Sequence, residues 1–344
     1  MKVLVYSEYK YEFIDEILYK GLIGNLNKNS IFLYAPVSTK LPAYFNNKLS
    51  QTIFGEDIKD KIDDFDLILF TNTALFDKYF GFALDRDSEI KRIFIDGVDD
   101  FFVRRIYKHP NINFYLKREL YDYIKPRIVT EWTFRYLIEQ LKLQRKGLLK
   151  INNKWNIPIS IANRHAYSKL RPFPLTVPNV NKQKFTKRRD TVVSFTGHFN
   201  NPDRKRYVAT AQNLCKEFGL KNTEYYLSNY KREFTNINYI NMLERSKLAM
   251  SIRGTGYDTF RYWEIPYHGA ALLSQKIPIF IPNNFIDGES ALYFDNQKEL
   301  KSKIEKYAIK TQEWEEIAKK GNKLFLEHHT PEKRIKDLIL KLIR

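Results

Sequence analysis

Cysteine is nearly missing from this chain: Cys215 stands alone among 344 residues. No intramolecular disulfide can form, and no thiolate-rich metal site can be assembled. Long apolar runs are missing too, since no window approaches the roughly 18–20 uninterrupted apolar residues of a membrane span. The opening MKVLVYSEYK runs into a strand-like segment without the apolar core and cleavage site of a signal peptide. That predicts a cytoplasmic protein, touching a membrane at most peripherally from the inner face. There is no Walker loop, no HExxH, no Cys/His metal spacing and no GxSxG elbow, so phosphate-loop and simple hydrolase chemistries lose their usual carriers.

What is present is globular: 43% hydrophobic and 28% charged residues, with 23 Tyr and 25 Phe. Aromatics in such number fill cores first, although sugar clefts use them as well. The formal net charge of +18 is unevenly spread. Residues 1–100 hold 12 Lys and Arg against 17 Asp and Glu, whereas residues 101–200 hold 21 against 5. A basic face there attracts a nucleotide diphosphate, an anionic membrane or a nucleic acid; solvated lysine-rich faces account for the same charge without a ligand.

Short apolar runs alternate with helical periodicity. Lys2–Tyr6, Ile31–Tyr34, Leu67–Thr71, Arg92–Asp96 and Ile112–Leu116 read as strands in the first half, with a helix over Glu12–Leu26. In the second half the strand candidates are Thr191–Thr196, Leu248–Ile252 and Ile277–Ile281, with helices over Asp203–Phe218 and Asn238–Ser246 and a helical tail from Lys298. Continuous apolar runs between helices predict parallel sheets covered on both faces. Between the halves, Ile157–Arg189 carries Pro158, Pro172, Pro174, Pro178 and a basic cluster, and reads as a linker. In doubly wound sheets, ligands bind beyond the carboxyl ends of the strands, so the turns after strands are where chemistry belongs.

The most informative turn lies in Ser251–Ser274, SIRGTGYDTFRYWEIPYHGAALLS. A strand ends at Ile252, Gly254 and Gly256 follow, and a helix carrying Glu264 runs to His268–Gly269. Small residues at a strand-to-helix turn let backbone N–H groups approach an anion, and Asp258 fits the helix N-cap. This stretch resembles the donor-binding segment of GT-B glycosyltransferases, in particular the spore-maturation-protein-like and exostosin-like groups. The resemblance extends over roughly Val192–Lys341, with Trp263-Glu264-Ile265 and His268-Gly269 as its core and Ile277-Pro278 opening a later strand.

The resemblance implies that Glu264 accepts hydrogen bonds from a nucleotide ribose; a carboxylate is acceptor-only and suits two vicinal hydroxyls. It also implies that the strand Val192–Thr196 ends in a glycine, Gly197, and that a basic residue beyond it neutralises the donor diphosphate. Arg204 is the first choice and Arg206 the second, because a guanidinium fork binds phosphate oxygens bidentately. Arg253, Gly254, Gly256, Tyr257 and Arg261 complete the expected donor set. Gly256 stands where many retaining members carry a second glutamate.

The first half offers Asp96, Asp99 and Asp100 after the strand RIFI, a candidate base for an acceptor hydroxyl or an Asp-Gly turn. Lys117, Arg118 and Glu8 are further cleft candidates. Thr130–Lys150 has apolar and basic residues at helical spacing, fitting a membrane-surface helix or a core-facing one.

The expected architecture is α/β, of GT-B type: two doubly wound Rossmann-like domains facing a central cleft. Residues 1–175 form the acceptor-side domain, 176–330 the donor domain, and 331–344 a terminal helix packing back across the cleft. The expected reaction is metal-independent glycosyl transfer, without a cofactor, from a nucleoside-diphosphate sugar to a hydroxyl of a glycan, lipid-linked or surface-polymer acceptor. A DNA-modifying glycosyltransferase, or a non-catalytic nucleic-acid- or glycan-binding protein on the same scaffold, is the alternative.

Overall fold

The computed structural model describes residues 1–7, 13–35, 52–71, 74–75, 77–86, 89–99, 102–120, 156–158, 168–177, 189–199, 201–220, 223–227 and 236–343. The chain divides into two compact units. The first comprises Met1–Pro174, Pro278–Ile281 and Pro331–Arg344; the second comprises Leu175–Ile277 and Pro282–Thr330.

The first unit is built on a parallel sheet. Its strands in chain order are β1 (Val3–Tyr6), β2 (Ile31–Ala35), β3 (Thr52–Phe54), β4 (Leu67–Thr71), β5 (Lys91–Asp96), β7 (Phe114–Lys117) and β9 (Leu170–Pro172), while β6 (Phe102–Arg104) and β8 (Asn156–Pro158) form a separate antiparallel pair. The sheet order is β3-β2-β1-β4-β5-β7-β9. From β1 the chain winds outward through β2 and β3 on one side, then restarts at β4 on the other, so the switch point lies between β1 and β4. Strands buried on both faces need apolar residues throughout, which is why VLVY and LILFT read so plainly. Tyr6, Tyr34, Phe70, Phe94 and Tyr115 fill the core with fully buried rings. Helices α1 (Phe13–Ile23), α2 (Ile58–Lys61) and α3 (Phe80–Asp85) belong to this unit.

The second unit holds five parallel strands, β10 (Thr191–Gly197), β11 (Thr223–Leu227), β12 (Ser246–Ser251), β13 (Ala271–Gln275) and β14 (Leu292–Phe294), in the order β11-β10-β12-β13-β14. The switch point here lies between β10 and β12. Its helices are α4 (Pro202–Glu217), α5 (Asn236–Arg245), α6 (Phe260–Tyr267), α7 (Gln297–Ile304) and α8 (Trp314–His328). The last helix, α9 (Pro331–Ile335), belongs to the first unit, where the Asn25 side-chain amide donates to Glu332 O at 2.8 Å.

Two sequence expectations are corrected. Ile277–Ile281 is no strand: Pro278 has no N–H to give a ladder, and Phe280 N instead donates to Leu120 O at 2.7 Å within the first unit. The stretch read as a linker contains β9, an edge strand, where Pro172 costs no central ladder bond. The basic stretch Thr130–Lys150 lies outside the described residues. Among the described residues no helix is long and apolar enough to cross a membrane.

Candidate functional site

The loops that leave β10 and β12 flank the switch point of the second sheet, and one side chain ties them together. Arg204, at the start of α4, is buried with 5% exposure. Its Nε donates to Arg253 O at 2.9 Å, Nη1 to His198 O at 3.1 Å and Nη2 to Ile252 O at 3.3 Å. Burial, then the nearby charge of Arg261, pushes its guanidinium down to about 9, so it stays cationic at neutral pH. A Cβ at Gly254 would come within 3.0 Å of Nη2, so the glycine lets the loop close over the guanidinium. At Gly197 a Cβ would lie 3.1 Å from the Phe195 ring. Gly254 therefore serves the approach of Arg204, whereas Gly197 makes room for the Phe195 ring, and the Arg204 guanidinium holds the two loops through their carbonyls.

Arg253 leaves β12 and stacks its guanidinium over the Tyr257 ring at 5.3 Å. Its Nε lies 3.2 Å from Asp203 Oδ2. The other oxygen of Asp203 takes Arg206 Nη2 at 2.7 Å, so one carboxylate bridges the two arginines. The Arg206 side chain is 52% exposed, which keeps it on the solvent side of α4. Gly256 O accepts from Gly254 N at 2.9 Å, closing the turn.

Glu264 sits in α6, half-buried. The Tyr239 hydroxyl of α5 donates to its Oε2 at 2.6 Å. Burial raises the Glu264 carboxyl above the usual range, opposed by the Tyr239 hydrogen bond and the Arg261 charge. Burial, then the charge of Glu264, raises the Tyr239 hydroxyl far enough to keep it a donor. Arg261 lies over the Phe195 ring at 5.7 Å, and its buried Nε has no hydrogen-bond partner among the described residues. Glu264, Tyr239 and the cationic Arg261 thus share one neighbourhood at the switch point.

The helix is closed off behind this group. Gly269, at φ 74°, ends α6, with Gly269 N bonding Pro266 O and Ala270 N bonding Ile265 O. Asn322 of α8 donates to Pro266 O and Tyr267 O at 2.9 and 3.0 Å. Asp258 is not the N-cap, which is Thr259. Its carboxylate instead accepts from Leu175 N at 2.6 Å and Trp263 Nε1 at 2.8 Å, holding the strand exit against the helix.

The described carboxylates of the acidic turn after β5 have partners within the first unit. Asp96 is fully buried, and its carboxylate takes the Tyr115 hydroxyl, Val98 N at 3.1 Å and Lys117 Nζ at 3.3 Å. Asp99 pairs with Arg118, which lies over the Phe13 ring at 5.3 Å. Lys117 and Arg118 thus each hold a carboxylate of this turn. Asp100 and Glu8 lie outside the described residues. Sequence reasoning missed Tyr239 and Asp203, whose partners are 25 and 50 residues away, beyond any local spacing rule. Among the described residues no three His, Cys, Asp or Glu side chains gather to hold a metal ion.

Residues 204–339 match a protein family described as glycosyl transferase-like. No curated protein sequence matches the chain. Among solved structures, the Anabaena protein HepE in complex with UDP is similar over 99% of this chain and 99% of its own, with TM-score 0.57 and 9% identity. HepE with UDP and glucose gives TM-score 0.56 and 10% identity over 99% of both chains. HepE with UDP-glucose gives 0.53 and 10% over 99% of this chain and 100% of that one. The fold is GT-B, and residues 204–339 are similar to the glycosyl transferase-like family.

Proposed function

We propose that this transferase moves a glycosyl group from a nucleoside-diphosphate sugar to a hydroxyl of a glycan, lipid-linked or surface-polymer acceptor. The observation that carries the reading is the Tyr239–Glu264 pair beside Arg261 at the switch point of the second sheet. A carboxylate with one oxygen held by tyrosine keeps acceptor capacity for vicinal ribose hydroxyls. Arg261 supplies charge for a diphosphate leaving group, and charge there counts most as the bond to the sugar breaks. Arg253 flanks the same turn, with Asp203 setting its direction. The narrower grouping with spore-maturation-protein-like and exostosin-like enzymes is part of this proposal and rests on Ser251–Ser274.

Uridine nucleotides are the first donors to try, since the similar HepE structures hold UDP and UDP-glucose. Calorimetric titration of UDP, UDP-glucose and a panel of GDP-, ADP- and dTDP-sugars into wild type and Glu264→Ala tests the assignment. Binding to wild type that falls about tenfold or more in the variant is expected. No binding by wild type, or equal binding by both, defeats it. Side-chain cations carry the diphosphate charge in this scheme, so donor turnover should survive EDTA; loss that added divalent metal restores would count against it.

A further inference from the structure

The amino-terminal edge of the first sheet holds a cavity of about 450 Å³, within the size range of small-molecule sites. Parallel pairing brings three strand starts together there: Lys91 opens β5, Asn113 directly precedes β7, and Lys169 directly precedes β9. Ile112, Phe114, Leu342 and Ile343 supply an apolar wall, the last two from the terminal segment of the same unit. Doubly wound sheets bind their reacting ligands beyond the carboxyl ends of the strands, so this cavity lies at the other end of the sheet.

The polar side chains that line it bring donors. The Asn113 amide oxygen accepts from Arg92 N at 2.7 Å, which leaves its NH2 group to donate. Lys91 is exposed and brings one cation. Lys169 turns inward: its Nζ donates to His109 O at 3.1 Å, and burial holds its ammonium below the usual value. Arg171 adds a third cation, its guanidinium 5.3 Å from the centre of the Phe114 ring. Asp66, whose backbone takes Lys91 N, has its carboxylate on Lys2 N at 2.6 Å, and Asp85 lies 2.9 Å from His109 Nε2. Lysines that merely solvate a sheet edge extend into water. Lys169 is instead drawn against apolar residues, where desolvation opposes its charge and an incoming anion offsets that cost.

We propose that this cavity binds an organic anion with an apolar body, its carboxylate or phosphate held by Lys91, Lys169 and Asn113 and its body lying against Phe114 and Ile343. The site lies wholly within the first unit, and it stands whether or not Glu264 binds a nucleotide.

The test is calorimetric titration of the full chain with octanoate and octyl phosphate, below their micelle-forming concentrations. Octan-1-ol, which has the apolar body alone, and inorganic phosphate, which has the charge alone, are the controls. At least one of the two amphiphiles should bind wild type, and which one binds distinguishes a carboxylate from a phosphate ligand. Lys91→Gln and Lys169→Gln should each weaken it about tenfold or more, while Lys169→Arg, which keeps the charge, should retain most of the affinity. Ile343→Ser should weaken the amphiphile through its apolar body. Lys91 is exposed, so Lys91→Gln should keep the wild-type thermal midpoint even if loss of the His109 contact destabilises Lys169→Gln. Failure of both amphiphiles to bind wild type overturns the proposal. Equal affinity in wild type and Lys91→Gln does the same, as does octan-1-ol or inorganic phosphate binding as tightly as the amphiphile.

Discussion

The Tyr239 hydroxyl reaches Glu264 Oε2 at 2.6 Å, from a helix that precedes β12 to the helix that follows it. The bond joins the two elements flanking one strand and sets the carboxylate's direction. It also means that a carboxylate is kept where burial disfavours its charge. Such a raised group contributes stability only while protonated, and that contribution is lost as pH rises through its folded-state value. At pH 8 the Glu264 charge therefore works against the ligand-free fold. Glutamine is neutral at every pH and still accepts from Tyr239. Glu264→Gln should show an equal or higher thermal midpoint than wild type at pH 8, with the difference shrinking as pH falls toward 4.5. Its UDP affinity should fall. A lower midpoint at pH 8 would mean that the carboxylate is structural rather than kept for a ligand.

Arg204 makes the opposite prediction. Three backbone carbonyls depend on its buried guanidinium, and lysine has neither the fork nor the reach to serve all three. Arg204→Lys should cost about 2–4 kcal/mol in urea unfolding, the range for leaving buried carbonyls without donors. Donor affinity should fall as the two loops loosen. Unchanged stability with lost affinity would instead restore Arg204 to the phosphate role that its sequence position suggests.

How much of this was legible in the sequence follows from which forces are local. VLVY, LILFT and TVVSFT had to be buried strands, because only a two-sided parallel sheet accepts runs so apolar. The segment IPIFI looks the same by hydropathy, yet Pro278 and the bond from Phe280 N to Leu120 O place it as a crossing segment in the first unit. Periodicity cannot separate these two uses of an apolar run. Glu264 was found through a recognised pattern of turn and helix. Its partner Tyr239, and the true contacts of Asp258 with Leu175 and Trp263, depend on tertiary approach. Asp96 and Asp99 looked reactive because carboxylates after a strand often are, but Lys117, the last residue of β7 in register with Asp96, and Arg118 just after it pair with them.

Close packing of α1 on α9 gives a third test. A Cβ at Gly21 would lie 2.1 Å from Ile335 Cγ1 and 2.5 Å from Pro331 O, and the latter is backbone. Gly21→Ala should therefore push the terminal segment off α1 at a cost of about 1–3 kcal/mol. Gly81, in α3, has nothing within 4 Å of its would-be Cβ, so Gly81→Ala should gain roughly 0.4–1 kcal/mol from reduced freedom of the unfolded chain. Thermal midpoints check the contrast, and limited proteolysis should cut near residue 331 faster in Gly21→Ala only. Equal midpoints in the two variants would refute the close approach.

His268 predicts how the second unit responds to acid. It caps α6, where its backbone N bonds Glu264 O at 2.8 Å, and its ring lies against Tyr267 with 6% exposure. Burial pushes the imidazole down to about 4, with Glu244 opposing the shift and Arg189 adding to it. Between the ordinary value of about 6.5 and this one, the unfolded chain binds a proton that the folded chain refuses. Stability is therefore full above the upper limit and falls as pH drops, by up to about 1.4 kcal/mol per pH unit across the window. His268→Gln has no proton to refuse. Urea midpoints measured at pH 7, 6, 5 and 4.5 should decline more steeply in wild type than in the variant, with the two curves converging toward acid. Parallel declines would show that the ring takes up its proton within the fold, and that carboxylates alone set the acid sensitivity.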